Sequence, residues 1–255
     1  MRFAILALSI ASVGCAPSAA AQHAGHASTD SSMASMPSMQ SAAEQSMNSA
    51  MEMNPHMRMT AARKPTAADS ARARALVDTL RRALARYRDV KVAESDGFRM
   101  FAPQVKNQRV YHFTRNWNAV KAAFGFDPAE PTSLLYTKDE SGNFNLVGAM
   151  YTAPHRAGED ELNARVPLSI ARWHEHVDIC VPKRGDAGRW QETKNGRMLF
   201  GPAGAITTKA ECDSANGRWF EHLFGWMVHA NVFASDDLAE IWGDHHDMPG
   251  MTHVH

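Results

Sequence analysis

Apolar positions first fall into helical order at Leu76, Val77, Leu80, Leu84 and Tyr87, which line one face at the spacing of an α-helix. Thr66-Ala-Ala-Asp69 just upstream is an acidic variant of the capping box and sets the start. Arg72, Arg74, Arg81, Arg82 and Arg86 lie mainly off the apolar face, the ordinary arrangement of a solvated surface. Beyond Gly97 the period shortens. Arg109 to Thr114 has the β-branched and aromatic content of a strand, and Asn116 is placed to cap a short helix running to Gly125. Thr132–Thr137 and Asn145–Thr152 flank Asp139-Glu-Ser-Gly142, so they predict a hairpin. Glu159–Val166 predicts a helix stopped by Pro167. Thr208-Lys-Ala-Glu211 is a capping box for a helix ended by Gly217. Phe224–Phe233 reads as a strand, and Ser235-Asp-Asp237 opens a last helix to Trp242. The order of elements predicts an α+β fold: a small, mainly antiparallel sheet with helices packed on one side.

The two ends do not share this patterning. Met1-Arg2, the apolar stretch Phe3–Val13 and Ala19-Ala20-Ala21 before Gln22 have the layout of an export signal over residues 1–21. Ser12-Val13-Gly14-Cys15 offers a second reading, a lipoprotein signal with Cys15 as the lipid anchor. Either route leads to the periplasm or the cell exterior. Residues 22–63 form an arm of Ala, Ser, Met, Gln and His with little aliphatic or aromatic content, which predicts disorder. The folded domain is then expected over 64–243, with a short tail at 244–255.

Charge narrows the function. Lys+Arg 27 against Asp+Glu 27 provides no basic surface for nucleic acid. After the signal there is no apolar run long enough to span a membrane. With Cys15 removed or lipidated, Cys180 and Cys212 remain, and an even pair in an oxidising compartment predicts a disulfide. The rival use of Cys180 is as a metal thiolate.

Thirteen His and fifteen Met are the unusual counts. Met33, Met36, Met39, Met51, Met53, Met57 and Met59 recur along the arm, with His23, His26 and His56 among them. Asp244-His-His-Asp-Met-Pro-Gly-Met-Thr-His-Val-His255 adds His245, His246, Met248, Met251, His253 and His255. Thioethers select Cu(I) and Ag(I), and imidazoles take Cu(II), Zn or Ni. Neutral thioethers also keep their affinity at acidic pH, where imidazoles are protonated. The plainer alternative is a stalk whose methionines absorb oxidants as sulfoxides.

A second signal lies in Trp173-His-Glu-His-Val-Asp-Ile-Cys-Val181. A strand here puts His174 and His176 on one face, a start for a metal site that His229 or His112 would complete. A histidine in an apolar strand also serves simply as a hydrogen-bonded core residue. Glu175 or Asp178 could serve as a base beside metal-bound water, but nothing in the spacing demands it. His155 and His222 read as loop residues. The sequence lacks G-x-S-x-G, a P-loop, G-x-G-x-x-G after a strand, an H-E-x-x-H helix and C-x-x-C-H.

The ends, above all Asp244–Met251, resemble the Met/His-rich segments of periplasmic copper-resistance proteins. The core, through Pro131–Tyr136, Leu146–Pro154, Trp173–Cys180 and Phe224–His229, resembles a group of uncharacterised secreted bacterial proteins, which implies a shared fold. The expectation is an exported copper- or silver-binding protein that captures soft metal at its ends, with a core site open to copper, zinc or iron. The alternatives are a periplasmic copper or iron oxidoreductase and a structural envelope protein.

Overall fold

A computed structural model describes residues 54–103 and 108–243 of the chain. The export signal, Cys15, the arm ligands Met33, Met36, Met39, Met51 and Met53, and the tail ligands His245, His246, Met248, Met251, His253 and His255 lie outside the described residues.

The predicted first helix is α1 (Ala67–Leu84), capped by the Thr66 hydroxyl accepting from the Asp69 amide. Val77, Leu80 and Leu84 of the expected stripe are buried, joined by Ala73, while Leu76 is only partly buried against the same core. A 3₁₀ turn (Ala85–Arg88) and α2 (Val90–Ser95) follow. The arginines are less idle than a solvated face implies. Arg81 reaches the carbonyls of Val232 at 2.8 Å and Ser235 at 2.7 Å, tying the helix to the segment after the last sheet strand.

The main sheet contains β1 (Met57–Met59), β2 (Arg99–Met100), β3 (Tyr111–Thr114), β4 (Ser133–Lys138), β5 (Phe144–Ala153), β6 (His174–Val181) and β9 (Arg218–Ala230). Their order is β1-β6-β9-β5-β4-β3-β2, and every neighbouring pair is antiparallel. The short pair β7 (Thr193–Lys194) and β8 (Arg197–Met198) stands as its own ribbon. Four short α-helices, α3 (Asn116–Ala122), α4 (Glu159–Arg165), α5 (Lys209–Ser214) and α6 (Leu238–Trp242), and a 3₁₀ turn (Ala187–Gln191) complete the described residues. The α+β reading holds. The β4–β5 hairpin closes where its turn residues place it, with Gly142 at φ +83°.

The folded region starts earlier than its composition suggests. The arm was expected to run disordered through residue 63, but Met57–Met59 is the edge strand β1, paired with β6. A three-residue strand has no periodicity to read, and it exists because β6 offers it a ladder. His56, grouped by sequence with the arm ligands, is fully buried and donates from Nε2 to the Gly204 carbonyl at 3.1 Å.

One face of the sheet carries Tyr111, Phe113, Leu134, Tyr136, Ala149, Tyr151, Val228 and Ala230 against α1, α4 and α6. Beyond it, Cys180, Phe200, Ile206 and Cys212 make a smaller core under α5. Cys180 and Cys212 are joined as a disulfide, as the even count predicts, so Cys180 has no thiolate to give a metal. Among the described residues, no helix is long and apolar enough to cross a membrane.

Candidate metal centres

Strand alternation decides which side chains meet. On β3, β5 and β9 the residues between the core positions point to the other face of the sheet, and these are His112, Met150, Met227 and His229. Register carries the set across six strands. Met59 on β1 lies opposite His174 on β6, which lies opposite Met227 on β9, and Met57 lies opposite His176. Met150 on β5 lies opposite His229, and Leu135 on β4 lies opposite His112. Directly opposed residues have Cβ atoms about 4.5–5.5 Å apart.

The four imidazoles expected from sequence therefore form one continuous row. Ring centroids are 5.6 Å apart for His176 and His174, 5.2 Å for His174 and His229, and 5.9 Å for His229 and His112. Neighbouring rings are thus close, but among the described residues no three of these imidazoles bring ligand nitrogens within 4.8 Å of one another, so the row offers imidazoles in pairs and needs the adjacent thioethers to complete a site. The methionines interleave with them. Met150 and Met227 pack with Leu135 in an apolar cluster on this face, and His174 and His229 are both buried. Burial, followed by the neighbouring His229, pushes the His112 imidazole down to about 3 from 6.5. A ring held neutral is a ring ready to bind metal.

That shift has a consequence for stability. The unfolded chain takes up the His112 proton near its ordinary value of 6.5, whereas the folded chain does so only near 3. The fold thus keeps its full stability above pH 6.5 and loses it as the pH falls towards 3. Urea unfolding across this range checks the point. His112→Phe is expected to flatten the decline, and an equally steep decline in the variant would remove His112 as its cause.

The strand residue between the two paired imidazoles points the opposite way. Glu175 is fully buried, on the face away from the His row. Its Oε2 pairs with Arg58 of β1, whose guanidinium lies 4.8 Å over the Trp226 ring. Its Oε1 lies 2.7 Å from His155 Nδ1 and 3.2 Å from His222 Nδ1. Both imidazoles are partly exposed, and their centroids are 3.7 Å apart. The ligand atoms of this trio all lie within 4.8 Å of one another.

The sequence placed His155 and His222 in loops. His222 is in fact inside β9, opposite Val177, because β9 begins at Arg218 rather than Phe224. The reading failed at a bulge. Register slips between His174 and His176, where Phe224 sits at φ +71° and Gly225 follows. A Cβ on Gly225 would stand 2.1 Å from the Ala153 carbonyl oxygen, so only glycine lets the end of β5 come this close. His155 follows two residues after Ala153 and is delivered over Glu175 by that approach. The available signal was electrostatic: a glutamate at an inward strand position needs cationic or imidazole partners.

No protein-family model, no curated protein and no solved structure matches this chain.

Proposed function

We propose that this chain is an exported protein that binds copper or silver for metal tolerance or handling. The observation that carries the reading is the register Met59–His174–Met227 across three adjacent strands, with Met150 and His229 paired beside it. Thioether sulfur and neutral imidazole are soft and borderline donors, and their mixture favours Cu(I) or Ag(I) over Ca²⁺ or Mg²⁺. Rigid strands hold such donors better than loops do. The Met/His-rich segments at 22–53 and 244–255 would then act as capture arms, passing ions to the core at high effective concentration. The disulfide fits an oxidising compartment, which is where the sequence at residues 1–21 would send the chain.

The test is a Cu(I) titration of the full chain against a chromophoric chelator under reducing conditions. Met59→Leu combined with Met227→Leu keeps volume and removes two sulfurs. This variant is expected to bind one Cu(I) equivalent fewer, or to hold that equivalent at least about tenfold more weakly, a loss of about 1.4 kcal/mol. Unchanged stoichiometry and affinity would sink the core part of the proposal.

A further inference from the structure

The buried carboxylate on the far side of β6 has more partners than charge balance requires. Arg58 alone neutralises Glu175, through Oε2. Oε1 nevertheless faces two Nδ1 atoms, at 2.7 Å and 3.2 Å, from residues 67 positions apart in sequence and brought together by the Gly225 bulge. One Nδ1–H would satisfy that oxygen. His155 Nδ1 takes that hydrogen bond, while His222 Nδ1 is buried without a hydrogen-bond partner, so two imidazole nitrogens and a carboxylate oxygen cluster within 4.8 Å with one nitrogen left over for an ion.

We infer that His155, Glu175 and His222 form a second metal site, separate from the Met/His row, which binds Zn²⁺. The donor set is two nitrogens and one oxygen with no thioether, which suits a borderline divalent cation and not Cu(I). Donors bonded to one tetrahedral zinc at about 2.0–2.1 Å lie about 3–3.5 Å apart, close to the 2.7 Å and 3.2 Å that separate the two nitrogens from Glu175 Oε1. Entry of the ion releases the proton between His155 Nδ1 and Glu175 Oε1 to solvent and widens that 2.7 Å separation towards the zinc-bound value. Glu175 is fixed from behind by Arg58, as outer partners fix metal-bound carboxylates elsewhere. The imidazoles are 48% and 34% exposed, so the remaining coordination position opens to solvent and water fills it. Because β6 alternates, His174 and His176 serve one face and Glu175 the other.

The experiment uses the full chain and Zn²⁺ titrated against a zinc-chelating indicator. His155→Ala combined with His222→Ala is expected to bind one Zn²⁺ equivalent fewer than wild type, and Glu175→Gln to weaken that equivalent at least tenfold. Both imidazoles being partly exposed, the double variant should still fold. Independently of any variant, substoichiometric Ni²⁺ is expected to broaden the His155 and His222 ring resonances of the wild-type chain before those of His112 and His174. Equal Zn²⁺ stoichiometry in wild type and double variant, or Ni²⁺ broadening that spares His155 and His222, overturns the site. The double variant should keep its full Cu(I) complement. Loss of Zn²⁺ binding alone therefore speaks to this site, and loss of Cu(I) binding in the methionine variant speaks to the other.

Discussion

Gly225→Ala is expected to destabilise the fold by roughly 3 kcal/mol or more, the upper part of the range for overpacked substitutions. The added methyl has nowhere to go. Its position lies 2.1 Å from the Ala153 carbonyl oxygen and 3.1 Å from the His155 amide nitrogen, both backbone atoms that move only if β5 and β9 separate. Phe224 beside it already sits in the left-handed region, so the bulge has little slack. As the end of β5 lifts, His155 leaves Glu175, and the buried carboxylate is left with Arg58 and His222. Urea denaturation measures the first effect, and the ring chemical shifts of His155 the second. Gly125→Ala is the control: nothing lies within 4 Å of its added methyl, and stability should change by no more than about 0.5 kcal/mol. A Gly225→Ala chain as stable as that control would show that the strand crossing does not depend on glycine.

Replacing both Cys180 and Cys212 by alanine is expected to cost about 3–4 kcal/mol. The bond closes a loop of sequence separation 32, and the chain-entropy relation gives a value of that size for such a loop. The loop also holds the smaller core: Phe200 and Ile206 are buried there with Cys180 and Cys212, and Trp190, Leu199 and Trp219 pack around them. Without the crosslink, α5 and the β7–β8 ribbon should become the first part to open, seen as lost amide-exchange protection in Lys209–Ser214. The main sheet, whose core is separate, should stay closed. Bound Cu(I) should not change, since neither sulfur belongs to the proposed site. An alanine pair within about 1 kcal/mol of wild type in urea would mean that the small core holds itself together.

Local chemistry is what made most of the fold legible. Thr66 and Thr208 cap helices because a hydroxyl can satisfy an amide three residues away, and Asp139 to Gly142 turns because a turn is four residues long. The strands β4 and β5 follow from that turn. The pairing of Cys180 with Cys212 and the common face of His174 and His176 were likewise available from counting and alternation.

What the sequence could not supply was contact between distant segments. Met57 and Met59 belong by composition to the arm, and only pairing with β6 sets their thioethers beside His176 and His174. His222 reads as a loop residue because the bulge at Phe224–Gly225 breaks the alternation that would have placed it in β9. Glu175 declares no partner in its own neighbourhood. Arg58 lies 117 residues away and His155 lies 20 away, and burial in the assembled sheet is what makes their contact obligatory. The sequence by itself determined the donor types, the periods and the turns, since these depend on residues a few positions apart. Tertiary structure alone decided which donors share a face and which surround the buried carboxylate, because register and bulges are set by whole strands packing together.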